Sequence, residues 1–108
     1  TKNFINKHEF SIMKNTAIVV NTARGGIINE IDLDKALNEN LILGAALDVF
    51  VNEPINLDNP LLKNNKVLLS PHSATFTDEC TSRMAIETTK NIIDFFENKI
   101  DKSMIVKL

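Results

Sequence analysis

The sequence has no tryptophan or tyrosine, one cysteine, three glycines and three prolines. With a single thiol, Cys80, no disulfide can close within the chain, which suits a reducing compartment and leaves packing to build the core. The glycines Gly25, Gly26 and Gly44 do not form a Gly-x-Gly-x-x-Gly phosphate-binding turn. No Cys-x-x-Cys or His-Glu-x-x-His spacing offers a metal site. No apolar run is long enough to cross a bilayer. The net charge of −2, without a basic block, gives no reason to expect nucleic acid as a partner. No internal repeat, low-complexity linker or secretory signal is visible, so the expected location is cytoplasmic.

What remains is 108 residues, 44% hydrophobic and 24% charged, enough for one globular core. The chain opens with Thr1-Lys2-Asn3-Phe4 and no methionine, which reads as a piece of a longer protein.

The stretch Ala17-Ile18-Val19-Val20-Asn21-Thr22-Ala23-Arg24-Gly25-Gly26 organises the rest. An apolar, β-branched run leading into a polar turn reads as a strand buried on both faces, as in a parallel sheet. Residues just after such a strand lie at its carboxyl end, where open α/β sheets bind ligands. Arg24 sits there, and the paired glycines let the backbone turn sharply and approach a ligand.

In chain order, Asn6 and Glu9 form a variant capping box, with Ile5 and Phe10 as its staple, predicting a helix over 7–13. His8 in its first turn has no partner spaced with it and reads as solvated. A strand follows over 16–21. Asn29 can cap a helix that Asn40 ends, with Leu33, Ala36 and Leu37 facing inward. The second strand covers 43–50 and contains Asp48, an acid that needs a partner in an apolar run or else caps a turn. Glu53 follows in a loop, and Asn59-Pro60-Leu61-Leu62 reads as a turn. The third strand, 66–70, ends at Pro71-His72, where the histidine is either a structural residue or an acid/base. A long helix over 77–98 opens with Thr77 as cap. It carries a stripe of Cys80, Met84, Thr88, Ile92 and Phe96, flanked by Ala85 and Phe95, that reads as core packing. Residues 99–108 read as a tail with one extended stretch, Met104-Ile105-Val106.

Strands alternating with helices imply an α/β fold with a parallel sheet. Arg24, Asp48 with Glu53, and His72 then follow three different strands and share one carboxyl edge. Arginine offers a fork for a carboxylate. Histidine passes a proton near neutral pH, and a neighbouring glutamate favours its charged form. Together they suit protonation of a carbonyl oxygen beside a carboxylate, half of a 2-oxo acid reduction. The other half is a hydride, which implies a nicotinamide cofactor.

The motifs Asn21-Thr22-Ala23-Arg24-Gly25-Gly26, Gly44-Ala45-Ala46-Leu47-Asp48-Val49-Phe50, Glu53-Pro54 and Ser70-Pro71-His72 resemble, in order and over residues 1–100, the NAD-dependent D-isomer-specific 2-hydroxyacid dehydrogenases. That family includes phosphoglycerate, glyoxylate, hydroxypyruvate and D-lactate enzymes. The resemblance implies that Arg24 binds the substrate carboxylate and carbonyl, that His72 is the general acid/base and that Glu53 pairs with it. It implies that Asp48 holds the nicotinamide carboxamide, and that Thr22, Ala23 and Arg24, with His72, Ser73 and Ala74, line the nicotinamide. Glu53 opposes the related formate dehydrogenases, which have glutamine there. The cofactor implied is NAD, with NADP as the alternative, and no metal.

The missing glycine-rich turn places the phosphate site upstream. Residues 1–100 then form the C-terminal half of an NAD-binding domain, with the long helix returning to a substrate domain, and 101–108 a tail. The expected fold is the second half of a Rossmann-type parallel sheet, three βα units and a long C-terminal helix. Its expected partners are a small 2-oxo or 2-hydroxy acid, the upstream half of the same protein and, for the parent, a second copy. This chain alone is expected to be inactive and to leave an open, apolar sheet edge. His72-Ser73-Ala74-Thr75-Phe76 lacks the glycine that often follows the histidine in phosphoglycerate enzymes, which leaves the substrate open. The other readings are a non-enzymatic nucleotide-sensing or corepressor-like module, and a gene remnant.

Overall fold

The computed structural model describes residues 1–106. Its elements are α1 (Lys7–Ile12), β1 (Ile18–Asn21), α2 (Glu30–Asn38), β2 (Gly44–Leu47), a 3-10 turn at Pro60–Lys63, β3 (Val67–Leu69), α3 (Asp78–Phe96) and a second 3-10 turn at Lys102–Met104. The chain divides into two compact units, Thr1–Ala74 and Thr75–Leu108.

The first unit is built on a three-stranded sheet in the order β1-β2-β3, parallel throughout. Strands adjacent in sequence and in space are what the second half of a doubly wound sheet has. Val20, Ala46 and Leu68 lie in one row across the sheet.

Local signals set the helices. The Asn6 Oδ1 accepts the His8 amide at 3.1 Å and Glu9 Oε2 accepts the Asn6 amide at 2.9 Å, closing the capping box. Phe10 is fully buried, with Ile5 packed against the same cluster. Asn29 caps α2 through the Asp32 amide, and Asn40, at φ 58°, turns the chain away after it. Leu33, Ala36 and Leu37 of α2 meet Phe10, Val19, Ala45 and Leu47 in the core. Each fully buried leucine or phenylalanine there contributes about 1.5–3 kcal/mol.

The sheet differs from expectation in two respects. β1 is covered on one face: Val19 and Asn21 are buried, whereas Ile18 and Val20 are each 64% exposed. Leu68 of β3 is exposed on the same side as Val20. The apolar run marks residues suited to burial on both faces, but α1 and α2 line only one. The strands are also shorter than read, so Asp48 falls just past β2.

In the second unit α3 is capped by Thr77, whose Oγ1 accepts the Cys80 amide at 3.1 Å. Its apolar stripe is not core: no residue of α3 is buried, and Met84, Ile92, Phe95 and Phe96 are all more than half exposed. Helical periodicity makes the stripe, but within its own unit α3 has nothing large enough to bury it against. The extended stretch expected at 104–106 is replaced at its start by the 3-10 turn, because the Asp101 side chain accepts the Ser103 amide and caps it. Residues 107 and 108 of the tail lie outside the described residues.

Candidate active site

The expected site residues of the first unit follow the carboxyl ends of the strands. After β1, the buried Asn21 shapes the turn that carries Arg24. Its Oδ1 accepts the Ala23 amide at 3.1 Å and its Nδ2 donates to the Arg24 carbonyl at 3.0 Å. An asparagine side chain bonded two and three residues ahead replaces the ladder that the strand has just left. Thr22, Ala23 and Arg24 are exposed, and Arg24 Nη1 also donates to the Ala23 carbonyl at 2.6 Å.

Gly25 has a reason that the sequence hides. A Cβ there would lie 1.8 Å from the Phe50 carbonyl oxygen and 2.7 Å from the Val51 nitrogen. The close approach that requires a glycine here is to the backbone of the loop after β2. Gly26 meets nothing within 4 Å and is a glycine because its φ is +78°.

That loop holds Glu53. Its Oε1 accepts the Phe50 amide at 2.9 Å, and its Oε2 lies 2.8 Å from His72 Nδ1. Glu30 of α2 steadies the same loop, with Oε1 accepting the Val51 amide and Oε2 the Asn59 side-chain amide, each at 2.7 Å. The hydrogen bond from His72, aided by the Phe50 amide and the charges of His72 and Arg24, holds the Glu53 carboxyl below the ordinary glutamate range. With Nδ1 shared with Glu53, Nε2 is the ring nitrogen left for other chemistry. The pair is half-exposed and borders a cavity of about 330 Å³ lined by Phe50, Glu53, Pro54, Ile55, Pro71 and His72.

Asp48 is only 3% exposed and is bound on both oxygens. Oδ1 accepts the Ser70 hydroxyl at 2.5 Å and the Ser73 amide at 2.8 Å, and Oδ2 accepts the Ala74 amide at 2.8 Å. The Ser70 hydroxyl first, then the Ser73 amide and the Ala74 amide, hold its carboxyl below the usual aspartate range. Ser73 and Ala74 thus spend their amides on Asp48. Asn21, Glu30 and Ser70 are the site's supporting residues that sequence reasoning missed, whereas the sequence marks Gly25 for a close approach, to a ligand rather than to the Phe50 backbone. Only Asn21, a polar residue closing an apolar run, gave a local sign.

His8, expected to be solvated, is exposed in α1, and its backbone amide is bound by Asn6. No cluster of three or more potential metal ligands occurs among the described residues.

Comparison with known proteins identifies the family of the chain. Residues 1–74 match the family described as D-isomer specific 2-hydroxyacid dehydrogenase, NAD binding domain. A glyoxylate reductase of Aeropyrum pernix is 42% identical over 105 residues, 97% of this chain and 31% of that protein. The chain thus spans about a third of the length of the curated relatives it matches. Among solved structures, an acyclic imino acid reductase in complex with NADPH and D-Arg superposes with a TM-score of 0.82 at 33% identity, over 93% of this chain and 32% of the other. D-lactate dehydrogenase with NAD+ from Lactobacillus jensenii superposes with a TM-score of 0.74 at 29% identity, over 100% and 36%. With its motifs in order, its parallel sheet and a family match over most of its length, the chain belongs to the NAD-binding domain family of the D-isomer-specific 2-hydroxyacid dehydrogenases.

Proposed function

We propose that this chain carries the acid/base and carboxylate-binding half of an oxidoreductase acting between a 2-oxo and a 2-hydroxy acid. The observation that carries the reading is the 2.8 Å His72–Glu53 pair, with Arg24 on the loop after the neighbouring strand end. A histidine held at Nδ1 by an ionised carboxylate presents Nε2 in a fixed direction. In reduction, Nε2–H donates its proton to the carbonyl oxygen as that oxygen gains charge, and Glu53 offsets the charge on the ring. In oxidation, neutral Nε2 takes the hydroxyl proton. Arg24 offers a planar fork to the substrate carboxylate. Residues 1–100 act in this reading as the C-terminal half of an NAD-binding domain.

The cofactor read here is NAD, or NADP, which supplies the hydride. The residues fit its nicotinamide end. Thr22, Ala23 and Arg24 are exposed after the carboxyl end of β1, and Asp48 Oδ2, with one donor, retains a lone pair for a carboxamide N–H. They do not include a glycine-rich turn for the phosphates. The test is NADH consumption by the whole protein with glyoxylate, hydroxypyruvate, pyruvate and phosphohydroxypyruvate. Loss of turnover by about a hundredfold or more in His72→Ala is expected for a general acid/base. Turnover unchanged in that variant would remove His72 from the chemistry.

A further inference from the structure

We propose that Ser70 is a positioning residue: its hydroxyl fixes Asp48, and Asp48 fixes the left-handed turn on which His72 meets Glu53. The inference rests on the reading of His72 as the proton carrier and deepens it.

His72 has a φ of +53°. A non-glycine residue holds that conformation only where its surroundings impose it. Three hydrogen bonds to Asp48 do so. They come from Ser70 on one side of Pro71-His72 and from the consecutive amides of Ser73 and Ala74 on the other. Consecutive amides beside a left-handed residue form a concavity that suits an anion. Here the anion is the chain's own aspartate.

Asp48 is itself fixed. Its amide donates to the Asn21 carbonyl at 3.0 Å, and Asn21 holds the Ala23–Arg24 turn through its side chain. The Ser70 amide donates to the Leu47 carbonyl at 3.0 Å, which ties Ser70 to the strand next to Asp48. A continuous run of hydrogen bonds thus joins the Arg24 turn, Asp48 and the His72 turn. No salt bridge joins Asp48 to a cation among the described residues, so hydrogen bonds carry its charge and the Ser70 hydroxyl gives the shortest of them.

The test is nuclear magnetic resonance on the full chain, comparing Ser70→Ala with Ser70→Thr. Three quantities are read: amide exchange at Ser73 and Ala74, the titration midpoint of the Glu53 carboxyl, and the ring-nitrogen shifts that report the His72 tautomer. In Ser70→Ala, exchange at both amides is expected to rise about tenfold for the loss of one hydrogen bond to a charge. The Glu53 midpoint moves up and the tautomer preference weakens. Ser70→Thr, which keeps the hydroxyl, retains all three values. If exchange rises in Ser70→Ala while Glu53 and the tautomer stay put, Ser70 only steadies the loop and the proposal is overturned. Unchanged exchange overturns it as well. In the unmutated chain, couplings across the hydrogen bonds from the Ser73 and Ala74 nitrogens to Asp48 Cγ test the clamp without a variant, and their absence also overturns it. These readouts do not depend on turnover. If they hold while His72→Ala retains activity, the functional reading fails and the clamp stands.

Discussion

Replacing Gly25 with alanine tests whether the Arg24 turn and the Glu53 loop are one assembly. The added Cβ would lie 1.8 Å from the Phe50 oxygen and 2.1 Å from its carbon. Real Cβ atoms do not come within 3.0 Å, so the Phe50 backbone has to retreat by more than roughly 1 Å. The Phe50 amide bonds to Glu53 at 2.9 Å and the Val51 amide to Glu30 at 2.7 Å. Such a shift carries both amides beyond useful hydrogen-bond distance. Overpacking of this kind costs about 1–3 kcal/mol, and the strained amides add to it, for a total of about 3 kcal/mol. Gly26→Ala is the control: it meets no atom and costs only the left-handed backbone, about 1–2 kcal/mol. Urea unfolding followed through the amides of Val19 and Leu37 reads the first unit alone. Gly25→Ala should lose clearly more stability than Gly26→Ala, and the Glu53 titration should move up in Gly25→Ala only. Equal losses in the two variants, with Glu53 unmoved, would refute the argument that contact with Phe50 is what requires a glycine.

Two further outcomes follow from charge and exposure. The carboxyls of Glu9, Asp48 and Glu53 are all held low in the fold, Glu9 chiefly by the Asn6 amide. Their contribution is complete above the unfolded values of about 3.9 for aspartate and about 4.3 for glutamate, and is lost as pH falls through the lower folded values. Urea midpoints measured from pH 6 down to 2 should therefore hold until about pH 4 and then fall, and Asp48→Asn with Glu53→Gln should flatten the fall. On the sheet, Val20 and Leu68 are 64% and 77% exposed in one row. Lysine at both positions should lower binding of an apolar fluorescent dye by the share the sheet contributes beside the exposed α3 stripe, while shifting stability by less than about 1 kcal/mol. A large loss of stability would show that this face is packed.

How much the sequence reveals depends on the range over which each residue acts. Asn6, Asn29 and Thr77 are readable as caps because their partners lie within three residues. The parallel direction of the strands follows from their alternation with helices, since parallel neighbours need crossovers. Asp48 shows only a need: an acid at the end of an apolar run must find donors. Those donors come from Ser70, Ser73 and Ala74, on the far side of another strand, where no local pattern reaches. The α3 stripe fails in the opposite way. Periodicity states which face a helix would bury, not whether anything is there to bury it.

The buried polar side chains lie at the two turns of the candidate site. Among the described residues they are Asn21 and Asp48, and none of their side-chain atoms is left without a partner. Burying either would be costly unless its hydrogen bonds were satisfied. Both sit at carboxyl ends of neighbouring strands, and the Asp48 amide donates to the Asn21 carbonyl. One shapes the turn of Arg24, and the other the turn of His72. The core's polar exceptions therefore lie where the candidate site has to be held in place. An apolar residue at either position could pack, but it could not hold a turn: Val19, two residues before Asn21, and Leu47, one before Asp48, show what the core alone would select.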